Sequence, residues 1–377
     1  MASHGVPRIA SSQDKTEDAR RREHQKIQMQ RDKHDYTDNA LKKTSELLSE
    51  NAEYYSIWNY RRRILQFQLE NNTVDSGLGP SRLEREKSIE QLIQQELDFL
   101  VPLLRQFPKC YWIWNHRLWI LEETIRRLTR PVARKFWKEE LVLVGKMLSL
   151  DGRNFHGWGY RRKIVAVLES LGPETEDSGA EGEKSYLTEA ELNYTTKMIG
   201  TNLSNFSAWH NRSKLILKML NERSACDDER RKMLDDGKYR SLHSKKINAN
   251  LFAELKLIHR ALIDPYDQSL WFYHQNLMCT LDRTTASEGI APNMSDETRI
   301  QYLTREIDAI TELLDEEEDC KWIYQALIEC SLIVWRIQGS ISDEAKRSIS
   351  KWLSNLKRLD PLRKGRWEDL EEIMNKL

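Results

Sequence analysis

Apolar positions along the chain return at helical spacing, in blocks of two segments split by a polar turn. In each block the first segment closes on aliphatic residues and an Asp or Asn. Leu47-Leu48 precede Asn51, Met147-Leu148-Ser149-Leu150 precede Asp151, and Ala261-Leu262-Ile263 precede Asp264. Chain breakers such as Gly152, Pro265 and Pro361 follow, as a short turn requires. The second segment enters just ahead of a Trp and runs on to paired aliphatics. From Trp158 to Ile164-Val165 is two helical turns, which sets ring and aliphatics on one face. The pattern predicts helical hairpins over 36–70, 84–129, 132–170, 186–222, 251–282, 298–338 and 341–377. The expected fold is all-α, an α–α superhelix of about seven hairpins, preceded by a tail and charged helix over residues 1–35.

A repeat of this length decides the architecture before any other feature. Its frame is clearest around Trp158 and returns at Trp58, Trp114, Trp209 and Trp271, then more weakly at Trp322 and Trp367. Seven residues ahead stand Asn51, Asp151, Asn202, Asp264, Asp315 and Asp360, with Phe107 as the exception. Six residues after stand Ile64, Ile120, Ile164, Leu215, Leu277, Ile328 and Ile373. Three after the first four Trp residues come Arg61, Arg117, Arg161 and Arg212, and His274 takes that place in the fifth copy.

The longer linkers fall between hairpins: Asn71–Ser81, Pro173–Ser185, Arg223–Asn250 and Arg283–Asp296. That is where a repeat array accepts insertions. Pro131 suits a helix start, whereas Pro102 predicts a kink near residues 98–102. The acidic run Asp315 to Asp319 reads as a solvated turn. The charged stretch Glu17–Asp35 reads as a solvated helix, with docking on a partner as the second reading.

Lys plus Arg balance Asp plus Glu at 59 each, so bulk charge argues for neither nucleic acid nor an anionic membrane. The five Cys make no CxxC pair or zinc-finger spacing, and free thiols in a reducing compartment fit them. No apolar run suits a membrane span or a signal peptide. The expectation is a cytoplasmic protein.

The repeated Trp residues read as core. For the Arg three residues later, two readings stand: a pair with the Asp or Asn of a neighbouring turn, or a guanidinium presented on a concave surface. The position five before the Trp varies in type, as Glu53, Lys109 and Arg153. Cations on adjacent turns would lie side by side, and such a pair suits a diphosphate. No Gly-rich phosphate loop, HExxH or nucleophile elbow occurs. His116, His156, His210 and His274 lack companions at ligand spacing, so no metal is expected in this chain.

The frame Pro-x-Asn-x-x-x-Trp-x-Tyr-Arg resembles the repeat of protein prenyltransferase α subunits. Asn154, Trp158, Tyr160 and Arg161 stand in register, with Pro108 and Pro265 in the Pro position of two other copies. Within that family the chain looks most like the Rab geranylgeranyltransferase (type II) branch. Arg153-Asn154-Phe155-His156, the run Asn202 to His210 and the run Asp264 to His274 carry that likeness. The resemblance implies a crescent of hairpins around a β subunit that binds zinc and geranylgeranyl diphosphate. The reaction implied moves the geranylgeranyl group to C-terminal cysteines of Rab GTPases presented by a Rab escort protein. The family places an α-subunit cation near the diphosphate, which selects Lys109 and Arg153, with Tyr111 and Phe155 as neighbours. Farnesyltransferase-like chains carry Lys where Arg153 stands. The interface implied would use Asn115, His116, Tyr160, Arg161, His210, Arg212, Tyr273 and His274. No cofactor is expected in this chain itself. Nothing after Arg283 reads as the β-sandwich or leucine-rich repeats that some type II α subunits add. The alternatives are the α subunit shared by farnesyltransferase and type I geranylgeranyltransferase, or a non-enzymatic scaffold that binds peptides. A tail without a role for His4 stands against one that folds back to a partner's zinc.

Overall fold

A computed structural model of the chain describes residues 34–71, 81–172, 180–235, 254–285 and 289–375. His4, nearly all of the charged stretch before Asp35 and most of the first three linkers lie outside the described residues. Every regular element among the described residues is helical. The chain divides at Glu174–Thr175 into two compact units. The first holds three hairpins: α1 (Asp38–Glu50) with α2 (Tyr55–Asn71), α3 (Arg82–Gln106) with α4 (Tyr111–Arg127), and α5 (Arg130–Leu150) with α6 (Phe155–Leu171). The second holds α7 (Ala180–Thr201) with α8 (Phe206–Glu222), then α9 (Asp227–Asp235), then α10 (Glu254–Ala261) with α11 (Gln268–Cys279). It closes with α12 (Asp296–Glu316) and α13 (Lys321–Gln338), then α14 (Asp343–Leu359) and α15 (Lys364–Asn375).

Helix starts follow local chemistry. Ser81 and Glu84 form a reciprocal capping box on α3, which satisfies two otherwise orphaned N–H groups. Asn154, Asn205 and Asp267 cap α6, α8 and α11 through side-chain oxygens,. Pro131 lies in the first turn of α5 as expected. Helix α3 runs unbroken through Pro102.

The recurrent Asn or Asp organises the turn. Its side chain accepts the N–H two residues on, in Asn51 to Glu53 (2.9 Å), Asp151 to Arg153 (3.2 Å), Asn202 to Ser204 (2.9 Å) and Asp264 to Tyr266 (3.2 Å). Short polar side chains favour such turns because they mimic a backbone acceptor. The Trp is buried, as expected, and it also pins the turn. Its indole N–H donates to the carbonyl six residues earlier at Ala52, Pro108, Gly152, Leu203 and Pro265, over 2.6–2.9 Å. Three of those carbonyls carry a second donor from the next hairpin. Cys110 Sγ reaches Ala52 (3.3 Å), Asn154 Nδ2 reaches Pro108 (2.9 Å) and Cys320 Sγ reaches Pro265 (3.1 Å).

These bonds correct the frame in the sixth hairpin. Cys320 stands four residues ahead of Tyr324, as Cys110 does ahead of Trp114. The Tyr324 hydroxyl donates to the carbonyl six residues earlier, Glu318, at 2.8 Å. Tyr324, rather than Trp322, is the equivalent residue, and Cys330 rather than Ile328 falls six after it. In the last hairpin the turn is a 3-10 helix, Pro361–Arg363, whose Pro361 carbonyl takes the Lys364 N–H. The Trp367 indole N–H has no acceptor there.

All four frame arginines are buried, and three of them form two-point ion pairs with a Glu of the next hairpin. Arg61 makes a two-point ion pair with Glu96 (2.7 and 2.6 Å), Arg117 with Glu140 (2.8 and 2.6 Å) and Arg212 with Glu254 (2.9 and 2.7 Å). Each joins the second helix of one hairpin to the first helix of the next. Guanidinium geometry suits such a fork. At the sixth hairpin Leu327 takes the Arg place, and an apolar cluster with Ile328, Ile349, Leu353 and Trp367 replaces the rung.

Two linkers are less open than their sequence suggests. Helix α9 buries Met233 and Leu234, and Arg230 donates to the Ile290 carbonyl at 3.1 Å. Ile290 and Ala291 are buried, and the buried Arg299 guanidinium donates to the carbonyls of Met294, Thr280, Ala291 and Pro292.

Candidate functional site

The turns between α3 and α4 and between α5 and α6 bring Lys109 and Arg153 to one edge of the first unit. Lys109 Nζ lies 3.7 Å from Asp151 Oδ2, and Asp151 Oδ1 accepts the Arg153 N–H. One carboxylate therefore touches both positions. Lys109 is 75 % exposed, and Arg153 is also exposed. Glu53, from the turn before, gives the same structural position a negative charge.

Exposed rings flank the cations. Tyr111 is 51 % and Phe155 70 % exposed, although large apolar side chains usually seek burial. His156 lies beneath them, 3.9 Å from the Phe155 ring and 6.2 Å from the Tyr111 ring. Burial lowers its pKa, while a hydrogen bond to the Lys109 main chain and the charge of Glu53 pull the other way. The imidazole, bonded to the Lys109 main chain, ties that turn to α6. Asp151 and His156 were the members of this site that the diphosphate argument did not select, because their role is to hold the turn. The Asp two residues ahead of Arg153 was the signal available for one of them.

Two exposed cations on neighbouring turns, with exposed rings two residues on from each, can bind a multiply charged oxyanion beside an apolar group. Among the described residues no group of three His, Cys, Asp or Glu side chains could hold a metal ion.

The eight residues considered for an interface separate by burial. Asn115 is half-buried and accepts from Arg62, while its Nδ2 meets the Tyr111 hydroxyl at 3.1 Å. His210 is exposed, with its ring 6.0 Å from Phe206. The other six are closed inside their own unit. His116 Nε2 lies 2.7 Å from Glu96, and the Tyr160 hydroxyl donates to Glu140 at 2.8 Å. Arg161 is buried, Arg212 holds Glu254, Tyr273 donates to Glu254, and His274 meets Glu306. The polar atoms of His116, Tyr160, Arg212, Tyr273 and His274 serve buried carboxylates of the unit that holds them. Electrostatics agree at the Glu96 rung. Burial raises the Glu96 pKa, but Arg61 and His116 outweigh it and hold it at about 2.

Comparison with known proteins bears on the whole chain. Residues 37–68, 93–124, 137–168 and 188–219 match the protein prenyltransferase alpha subunit repeat. The chain is 34% identical to the geranylgeranyl transferase type-2 subunit alpha of Schizosaccharomyces pombe, covering 99% of each. It is 35% identical to that of Candida albicans, covering 89% of this chain and 85% of the relative.

The chain belongs to the geranylgeranyltransferase type-2 α subunit family.

The match to the Rattus norvegicus family member, 32% identical, covers 73% of this chain and 41% of that protein. In fold, this family member is similar to a chain of Candida albicans protein geranylgeranyltransferase-I complexed with GGPP. The TM-score is 0.59 at 19% identity, over 99% of this chain and 95% of that chain. That likeness concerns fold alone. It agrees with an all-α hairpin array of the prenyltransferase α-subunit type. Among the described residues, no helix of the family member is long and apolar enough to cross a membrane.

Proposed function

We propose that this chain is the α subunit of a heterodimeric geranylgeranyltransferase type II. The enzyme transfers geranylgeranyl from its diphosphate to C-terminal cysteines of Rab GTPases, presented by an escort protein, in the cytoplasm. The observation that carries the reading is identity over nearly the full length of a type-2 α subunit. The turn edge supports it from chemistry. Lys109 and Arg153 supply charge where a leaving diphosphate gains it, and Tyr111 and Phe155 offer apolar surface beside them. The β subunit binds the catalytic zinc, which lowers the thiol pKa of the acceptor cysteine. This chain contributes electrostatics and an interface, and is active only with that partner.

Co-expression tests the reading. With a type II β subunit, the pair modifies Rab–escort complexes and the isolated chain does not. Assembly with a farnesyltransferase β subunit in preference to a type II one would replace the reading with the shared α subunit. Transfer by the isolated chain would overturn the division of labour.

A further inference from the structure

One of the carboxylate rungs between hairpins carries histidine in place of arginine. At the junction of α11 with α12, His274 takes the place held by Arg61, Arg117 and Arg212 in other copies. Its Nε2 lies 3.1 Å from Glu306 Oε2, and His259 Nε2 from α10 lies 2.9 Å from the same oxygen. The Glu306 side chain is 4% exposed and that of His274 1%, while His259 is 38% exposed. A guanidinium keeps its charge at every pH a folded protein meets, whereas an imidazole loses its charge near neutrality. The same buried carboxylate that is permanently compensated elsewhere depends here on a mobile proton.

We propose that the α11–α12 junction is a proton-sensitive joint, closed by a proton held on the His259–Glu306–His274 cluster and loosened when that proton leaves. Without it, the buried Glu306 carboxylate loses the countercharge that proton supplies, and a buried charge without a countercharge is costly. A cavity of about 370 Å³, lined by Lys256, His259 and Arg260 from α10 and by Tyr302, Arg305 and Glu306 from α12, opens onto His259. It gives the proton a path to solvent. The charge of Arg305 disfavours a second proton on the cluster, and Lys256 and Arg260 line the same cavity. From α13, Glu329 and Cys330 face the cluster, and Cys279 of α11 lies near Cys330.

The direction follows from the same contacts. The hydrogen bond to Glu306 raises the His259 pKa, against burial and Arg305. Burial raises that of Glu306, but the two histidines outweigh it and hold it at about 2, so the carboxylate stays ionised. A histidine with a raised folded pKa stabilises fully below its ordinary value of about 6.5. That contribution disappears as pH rises through the folded value.

Hydrogen exchange on the full chain reads this out. Corrected for intrinsic rates, local opening of α12 rises about tenfold between about pH 6 and pH 8.5, the scale of one lost hydrogen bond to a charged group. The α4–α5 junction, closed by Arg117 and Glu140, shows no such change. In His259→Gln the α12 slope disappears. Wild-type α12 protection that is independent of pH overturns the proposal, as does a slope that persists in His259→Gln. Side-chain NMR of the unmutated chain gives a second measurement. A His259 titration above the ordinary histidine value supports the joint, and one at or below it overturns the joint.

Discussion

Arg117→Met breaks one rung while leaving its carboxylate in place. Arg117 donates to both Glu140 oxygens at 2.8 and 2.6 Å and to the Leu97 carbonyl at 2.8 Å. Both side chains are almost fully buried, at 2% and 4% exposure. After the substitution, Glu140 keeps only the Tyr160 hydroxyl among these partners. Removing one member of a buried pair costs about 3–5 kcal/mol, because the remaining charge is stranded in a medium that solvates it poorly. A typical domain has about 5–15 kcal/mol in total, so the loss is about a fifth of that or more. Replacing both members by apolar residues of similar size is often close to neutral. Arg117→Met with Glu140→Leu is therefore expected to recover most of the loss, despite the unpaired Tyr160 hydroxyl. Urea unfolding followed by tryptophan fluorescence, across the two single variants and the double one, gives the coupling energy. A double variant as unstable as the sum of its parts would refute the reasoning. So would a single variant that costs under about 1 kcal/mol, the range of an exposed pair.

Lys109→Ala in the complex with a type II β subunit should lower turnover by about tenfold or more, on the scale of a lost charge-stabilising donor. Its urea midpoint should not move, since the side chain is largely exposed. Tyr324→Phe should cost about 1 kcal/mol in unfolding by loss of the bond to Glu318; an unchanged midpoint would remove Tyr324 from the frame. Acid should weaken the first unit early. Burial pushes the His116 pKa down to about 4, so the unfolded chain takes up this proton first. Stability present above about pH 6.5 is then lost as pH falls towards 4. His116→Gln should flatten the pH dependence of the urea midpoint over that range.

The hairpins were legible because Trp is bulky and recurs on the face where second helices pack. The turn edge was legible because the residue type five before the Trp changes while the frame does not. The sixth copy misled because a tyrosine hydroxyl reaches the carbonyl that an indole reaches elsewhere. Trp322 stood two residues away, and Ile328 happened to match six positions on. The rungs escaped because each Arg and its Glu belong to different helices, outside any local spacing. A trace existed: Glu96, Glu140 and Glu306 each stand eleven residues ahead of the helix-ending Phe107, Asp151 and Glu317. Burial of His116, Tyr160 and Tyr273 could not be read from exposed-looking residue types, because their polar atoms are satisfied by those same carboxylates.

The carbonyl at the start of each turn has a consequence for how such a chain tolerates change. At Ala52, Pro108 and Pro265, one oxygen serves the tryptophan behind it and the hairpin ahead of it, using both lone pairs. Lengthening that turn by even one residue would uncouple a hairpin from its own core and from its neighbour in a single event. Extra residues after the second helix sever nothing of this kind, and the long insertions of this sequence lie there. Each such turn is therefore fixed in length while the segments between hairpins are free to grow, and Lys109 stands on a turn that cannot stretch.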